Sequence, residues 1–308
     1  MAKASSIKKA MDAGQRTKGT SVLVYGAPKT GKSALTAQLA EHYRLIWLDI
    51  ENGAEVLFNS KVVDPKFLDN IELYQIPDHK KNPVGIEYAM KLFTMEKLTL
   101  CEQHNMENCS KCRLHNAKNP DDLWGKETID FNTLDPSKDI VVLDTLTQAT
   151  RSANALIIKK QLANNDEAKF EFDHWRLQNM YVDIILDMCQ AGLFNVVCIT
   201  HEQGIDQVDG TEKITPSAST KNYSRTIAKN FNTVVRCTMR GTNHVVEAAT
   251  SEAPKAITGG RTEVNVQRDG LAAIFNPALR TPEPEKAVKK KDKPNPSTTS
   301  LAARLRKS

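Results

Sequence analysis

The stretch Ser21-Val-Leu-Val-Tyr-Gly26-Ala27-Pro28-Lys29-Thr30-Gly31-Lys32-Ser33-Ala34 decides the fold of this chain. An apolar, β-branched run breaks at Gly26, and helix-forming residues with leucines spaced for one buried face follow Ser33. The stretch has a glycine, four intervening residues, and then glycine, lysine and serine. This is the pattern of a loop whose backbone N–H groups close around phosphate oxygens. In such a loop the lysine reaches the β and γ phosphates and the serine hydroxyl binds Mg²⁺. We therefore expect a nucleoside triphosphate site between a strand and a helix.

Length and composition limit what surrounds this loop. A chain of 308 residues can form one large α/β domain with insertions. Its longest apolar stretch, residues 182–200, is interrupted by polar side chains, so we expect no membrane partner. The first twenty residues are polar and basic and lack the apolar region of a signal peptide. We predict a cytoplasmic protein whose six cysteines are metal ligands or buried thiols rather than disulfides.

Both ends of the chain are basic. Residues 1–20 carry five Lys and Arg against one acid, and residues 281–308 carry eight against three. We predict a basic arm over 1–20, a domain over 21–280 with an insertion at 77–138, and a disordered basic tail over 281–308. Basic arms hold nucleic acid electrostatically or act only as solubilising tails, and both interpretations stay open.

Two further buried strands end in acidic residues. Leu45-Ile-Trp-Leu-Asp-Ile50 is followed directly by Glu51, and Asp139-Ile-Val-Val-Leu-Asp144 ends in an aspartate. Open α/β sheets place their chemistry at the carboxyl ends of strands. We expect Asp144 to hold Mg²⁺ together with Ser33, and Glu51 to polarise the water that attacks the γ-phosphate. Because threonine rather than glutamate follows Asp144, the expected base is Glu51.

Another buried strand, predicted at residues 195–200, is followed by His201. A polar side chain at this strand end can contact the γ-phosphate, so His201 is the candidate sensor. We expect residues 204–226 to form a long, mobile polar loop. This loop carries Lys221 and Arg225, either of which can reach the phosphates of a neighbouring subunit as an arginine finger does. A hairpin is predicted after it, from strands at 233–239 and 244–249.

A Cys/His cluster lies within the predicted insertion, after an amphipathic helix expected at 84–100. The spacing is C-x2-H-x4-C-x2-C-x2-H, formed by Cys101, His104, Cys109, Cys112 and His115. Thiolate and imidazole ligands suit Zn²⁺ in a tetrahedral structural site. We expect zinc on the first four residues, with His115 as the alternative to His104. The competing interpretation is a polar loop with three free thiols.

The pattern is helical over residues 150–191, with a polar interruption at 164–169. Most apolar residues of the second helix are spaced for a core. Phe170, Phe172 and Trp175, beside Lys169 and Arg176, are either part of that core or a platform on which bases stack.

Together, Gly-Ala-Pro-Lys-Thr-Gly-Lys-Ser, Trp-Leu-Asp-Ile-Glu, Val-Val-Leu-Asp-Thr and Cys-Ile-Thr-His-Glu resemble the RecA-type ATPase core over about residues 20–250. The chain is most similar to compact phage nucleotide-binding proteins of the RecA/RadA kind, which assist single-strand annealing and recombination. The resemblance implies an α/β RecA-like P-loop NTPase core, with a mostly parallel sheet flanked by helices. It implies ATP and Mg²⁺ as cofactors, a catalytic glutamate at Glu51 and a sensor at His201, where RecA has glutamine.

The resemblance also implies partners. Single-stranded DNA would be bound by loops near residues 160–175 and 203–222, in a homo-oligomer that is either a filament or a ring. A single-strand-binding protein or another recombination or replication protein is a further expected partner, in the cytoplasm of a bacterial host if a phage encodes the chain. A replicative-helicase or packaging-type motor is the alternative enzyme. The non-enzymatic alternative is a nucleotide-gated scaffold or loader that barely hydrolyses ATP.

Overall fold

A computed structural model describes residues 18–107, 109, 126–161, 170–206, 212–248, 258–260 and 264–281. Most of the predicted basic arm and nearly all of the predicted tail lie outside these residues. Among the described residues, no helix has both the length and the apolar character that crossing a membrane requires.

Strands and helices alternate through most of the described chain. The strands are β1 Ser21–Gly26, β2 Arg44–Asp49, β3 Ile71–Gln75, β4 Leu98–Cys101, β5 Lys126–Ile129, β6 Asp139–Asp144, β7 Asn195–Asp206, β8 Glu212–Pro216, β9 Thr233–Arg240, β10 Asn243–Glu247 and β11 Gly259–Gly260. The α-helices are α1 Lys32–Ala37, α2 Val84–Phe93, α3 Leu146–Gln161, α4 Phe172–Ala191, α5 Lys221–Ser224, α6 Val266–Asp269 and α7 Ala272–Phe275. Short 3-10 helices occupy Gln38–Glu41, Ala54–Phe58, Pro65–Asn70, Phe131–Thr133, Ile227–Asn230 and Pro277–Leu279.

The central sheet has the strand order β10-β9-β1-β7-β6-β2-β3, and β8 and β11 extend it beside β7 and β9. Pairs from β9 through β1, β7, β6 and β2 to β3 are parallel, whereas β8, β10 and β11 pair antiparallel. The predicted α/β fold with a mostly parallel sheet is therefore confirmed. In the register, Gly26 lies opposite His201 and Asp49 lies opposite Asp144. The predicted site residues therefore lie together at the carboxyl ends of the parallel strands.

Apolar side chains cover both faces of the sheet, as buried parallel strands require. One face packs on α2, α3 and α4, through residues such as Ile86, Leu156 and Leu186. The other face packs on the helical segment after β1 and on α6 and α7, through residues such as Leu39 and Phe275. This two-sided packing holds the strand ends, and the loops on them, in fixed positions.

The helix predicted at 84–100 is shorter than expected. It ends at Phe93, Met95 adopts a left-handed conformation with φ 66°, and β4 follows. Leu98 and Leu100 are buried while Thr99 is exposed, which is the two-residue alternation of a strand. The sequence pattern does not separate α2 from β4, because leucines at this spacing fit both a helix and a strand.

The segment predicted as a polar loop at 204–226 is also partly regular. Strand β7 continues past Thr200 to Asp206 and pairs with β8, so the polar residues form the arms of a hairpin. Ile205 and Thr215 are buried in it, and α5 follows. Only residues 207–211 of this segment lie outside the described chain. The low apolar content of this segment gave no sign of strands, because the hairpin is held mainly by backbone hydrogen bonds between β7 and β8.

Candidate active site

The loop between β1 and α1 is shaped by its two glycines. A side chain at Gly26 would place a Cβ 2.1 Å from the carbonyl oxygen of Cys237, and Gly31 has φ 88°, which favours glycine. Thr30 Oγ1 donates a hydrogen bond to the Ala27 carbonyl oxygen at 2.8 Å and closes the turn. The exposed tip is formed by Pro28 and Lys29.

Lys32 lies under this loop with only 6% of its surface exposed. Its Nζ donates to the carbonyl oxygens of Gly26 at 3.1 Å and Ala27 at 2.8 Å. Burial lowers the pKa of the ammonium group, whereas nearby Asp144 and Glu51 raise it. A cation is thus held beside the loop amides, where an anionic phosphate can be bound.

Ser33 and Asp144 form the pair predicted for Mg²⁺. Ser33 Oγ donates to Asp144 Oδ2 at 3.0 Å, across the gap between α1 and β6. Burial, followed by repulsion from Asp49, raises the pKa of the Asp144 carboxyl to about 7. A hydroxyl and a carboxylate are the hard oxygen donors that Mg²⁺ prefers, and the neighbouring acids Asp49 and Glu51 add negative charge. This donor set therefore fits the ion.

Glu51 and His201 meet, although 150 residues separate them in sequence. His201 Nε2 lies 3.0 Å from Glu51 Oε1, and Thr145 also hydrogen-bonds the Glu51 side chain. The contact with His201 is the main cause of a lowered Glu51 pKa, with a smaller contribution from Lys32. Glu51 is therefore a carboxylate near neutral pH, as a base requires.

Asp49, which no motif marks, and the Asp144 backbone help to position Glu51. Asp49 is fully buried, and its two carboxylate oxygens accept hydrogen bonds from the Gly53 and Ala54 backbone N–H groups at 3.1 and 3.0 Å. The Glu51 backbone N–H donates to the Asp144 carbonyl oxygen at 3.2 Å. An acid ending an otherwise apolar strand was the available signal for Asp49, because a buried carboxylate needs partners.

Another unmarked residue, His244 of β10, contacts the phosphate-binding loop. Its Nδ1 lies 3.1 Å from the Thr30 carbonyl oxygen, and the same atom would be 2.9 Å from a Cβ at Gly31. The antiparallel β9–β10 pair, which was predicted as a hairpin, brings His244 there. No motif could have revealed this contact because it depends on the order of strands in the sheet.

The predicted zinc ligands are partly brought together. One ligand atom from each of Cys101, His104 and Cys109 lies within 4.8 Å of the others. Both cysteines are 6% exposed, and this group could bind a metal. Cys112 and His115 lie outside the described residues. The other described cysteines, Cys189, Cys198 and Cys237, are buried and free, in agreement with the prediction of buried thiols.

A match to a protein-family model agrees with this geometry. The model of the AAA domain family matches residues 18–262, which is most of the chain. No curated protein sequence matches. Among solved structures, the chain is similar to a prototypical ATPase from the type III secretion system of pathogenic bacteria, at 12% identity and TM-score 0.41. The alignment covers 72% of this chain and 52% of that one, so this chain spans about half the length of that ATPase. By its family match and its loop, strand-end acids and buried lysine, the chain belongs to the AAA domain family and is a P-loop ATPase.

Proposed function

We propose that this ATPase couples Mg-ATP hydrolysis to the binding of single-stranded DNA, in annealing or homologous recombination, as a RecA-like protein. The observation that carries the proposal is the contact between Glu51 and His201. His201 is the last residue of β7 that pairs with β1, and the pairing with β8 begins at the next residue. A change at the γ-phosphate end of the site thus has a direct route to the β7–β8 hairpin.

In the proposed reaction a Glu51 carboxylate oxygen accepts a proton from water as the water oxygen bonds to the γ-phosphorus and ADP leaves. His201 and Thr145 hold the carboxylate in place. Lys32 and the loop amides bind the phosphate oxygens. Mg²⁺ held by Ser33 and Asp144 would neutralise phosphate charge.

Movement of His201 would be passed on through its own backbone. Its N–H donates to Thr147 Oγ1 at 3.0 Å, and its carbonyl oxygen accepts from the Ser217 N–H at 2.7 Å. Ser217 directly follows β8, so the hairpin is tied to the sensor at its base. Ordering of such a segment by bound nucleotide is a common switching device.

Exposed aromatic rings support a nucleic-acid partner. Phe172, at the start of α4, is 81% exposed, and Trp175 is 38% exposed. Phe170 lies against Trp175, with 4.9 Å between ring centroids. Rings that a core does not cover can stack on bases of any sequence, and the exposed Arg176 beside them can contact backbone phosphates. This favours the stacking interpretation over a core role for Phe172 and Trp175.

A homo-oligomer, either a filament or a ring, is part of the proposal. Lys221 and Arg225, at the two ends of α5, are exposed and can extend toward a neighbouring subunit. Any Zn²⁺ on the cluster of Cys101, His104 and Cys109 would be structural, since these residues lie around β4, outside the central sheet that carries the ATPase site.

Steady-state ATP hydrolysis with and without single-stranded DNA tests the proposal, beside Lys32→Ala and Glu51→Gln. We expect single-stranded DNA to raise the rate of ATP hydrolysis severalfold in the wild type and to leave both variants inactive. Hydrolysis that DNA does not change would overturn the coupling and favour the scaffold or loader. Directional unwinding by a hexamer would favour the helicase or packaging motor instead.

A further inference from the structure

We infer that Cys101, His104 and Cys109 bind a structural Zn²⁺ ion that fastens the segment following β4 to α2. The first argument is the spacing of the ligand atoms. The Cys101 and Cys109 sulfurs lie 3.8 and 3.6 Å from His104 Nδ1. Metal–ligand distances of a tetrahedral zinc site give a sulfur-to-nitrogen edge of about 3.6 Å. Both sulfur-to-nitrogen distances therefore match that edge closely, and the three donor atoms all lie within 4.8 Å of one another.

Hydrogen bonding accounts less well for this arrangement. Two thiols approach the same ring nitrogen, which carries either one proton or one lone pair. It can therefore make a full hydrogen bond with only one of them. A metal ion removes the conflict, because both thiols become thiolates and the nitrogen donates its lone pair to the same ion.

The surroundings show why such a cross-link would matter. The two cysteines and the partly buried Met106 form a separate apolar cluster, too small to order a loop by burial. The loop closes through Cys101 N–H to the Met106 carbonyl oxygen at 3.1 Å and Asn105 N–H to the Cys101 carbonyl oxygen at 2.9 Å.

This loop is also attached to α2. The Glu107 N–H donates to the Tyr88 hydroxyl at 2.8 Å, and Lys91 Nζ pairs with Glu107 Oε2 at 2.5 Å. Tyr88 is buried and belongs to the main core, so an ion that fixes Cys101 relative to Cys109 would also fix Glu107 against the core. The ion would thus replace the apolar contacts that the loop lacks.

The ligand set also selects the metal. Two thiolates with one imidazole suit Zn²⁺, or Co²⁺ as its spectroscopic substitute, and are poor ligands for Mg²⁺ or Ca²⁺. Magnesium at the ATPase site and zinc at this cluster would therefore not exchange.

Metal analysis of the purified full chain, expressed with added zinc, tests this inference. We expect about one zinc per chain in the wild type and at least about a tenfold loss in Cys101→Ala, Cys109→Ala and His104→Ala. His104→Cys should restore binding because it replaces one zinc ligand by another. Cys189→Ala, which removes a buried thiol elsewhere, is the matched control and should keep its zinc. Wild-type protein without zinc, or alanine variants that retain it, would overturn the inference.

Co²⁺ substitution gives a second readout that does not depend on how the variants fold. Wild-type chain loaded with Co²⁺ should show the visible spectrum of a tetrahedral ion and a thiolate charge-transfer band. An octahedral spectrum without thiolate bands would contradict the proposed ligands. Neither measurement depends on ATP hydrolysis or DNA binding, so failure here leaves the proposed function standing, and the reverse holds too.

Discussion

The ATPase site and the cluster of Cys101, His104 and Cys109 both use side chains at strand ends and in the segments that follow them, but they are held differently. The ATPase residues lie near adjacent strand ends of a large sheet, of which nine strands are described, with apolar cores on both faces. The cluster lies at the end of β4, in a separate two-stranded ribbon with a minimal core. A large sheet can position a site before any ligand binds, whereas a small ribbon needs a cross-link to do the same.

The largest effect should come from Lys32→Ala, which tests whether the two regions are independent. We expect kcat/KM for ATP to fall by about 10³-fold or more, because the buried ammonium group is the cation beside the loop amides. Zinc content should not change. Lys159→Ala, an exposed lysine of α3, is the control and should hydrolyse ATP at the wild-type rate. Loss of zinc in the Lys32 variant would show that the regions are coupled.

Glu51→Gln should separate catalysis from binding within the first region. Glutamine keeps the size of the side chain and can still contact His201, but it cannot accept the proton, so kcat should fall about 10²- to 10³-fold. The affinity for ATP, measured by equilibrium binding, should change only a few fold. The exposed Glu55→Gln on the next turn is the matched control. If kcat were retained, Glu51 would not be the base.

Asp144→Asn should make the metal-free fold more stable while removing Mg²⁺-dependent hydrolysis. A carboxyl with a folded pKa of about 7 and an unfolded value near 3.8 holds a proton between these values that the unfolded chain lacks. Its contribution to stability therefore falls as pH rises from about 4 to 7. We expect denaturant unfolding at pH 8, without Mg²⁺, to favour the variant by about 2 to 4 kcal/mol, and the advantage to vanish near pH 4.

For Asp139, at the other end of β6, the same substitution should lower the free energy of unfolding instead of raising it. Its carboxylate oxygens accept hydrogen bonds from Arg44 Nε at 2.9 Å and from Arg44 Nη2 at 3.0 Å. Asp139→Asn should therefore destabilise the fold by about 1 to 3 kcal/mol, because it removes half of a paired, part-buried interaction. If the two substitutions changed the free energy of unfolding equally, the charged form of Asp144 would not be destabilising in the metal-free fold.

The smallest expected effect is confined to the ribbon. Chelation of zinc should speed amide hydrogen exchange at least about tenfold over residues 98–107, equivalent to about 1.4 kcal/mol of local stability. Exchange in β1, β6 and β7 should be unchanged. The same chelator should do nothing further to Cys101→Ala. Faster exchange throughout the sheet would mean that the ion supports the whole domain.

The ATPase site was far easier to predict from sequence than the ribbon. Gly26 and Asp144 end buried strands, and Lys32 and Glu51 come shortly after such strands. Their motifs therefore carry their own structural context. The boundary between α2 and β4 was missed, because leucine spacing there fits a helix and a strand equally well. The contact of His244 with Thr30 could not be predicted, because it depends on which strands become neighbours.

The most direct test of the link between ATP and the β7–β8 hairpin is hydrogen exchange over residues 201–206 and 212–217. It should be measured with Mg²⁺ and a non-hydrolysable ATP analogue, in the wild type and in His201→Ala. We predict that the nucleotide slows exchange in the wild-type hairpin and not in the variant, while α1 is protected in both. Equal protection of the hairpin in the two proteins would contradict the role of the Glu51–His201 contact.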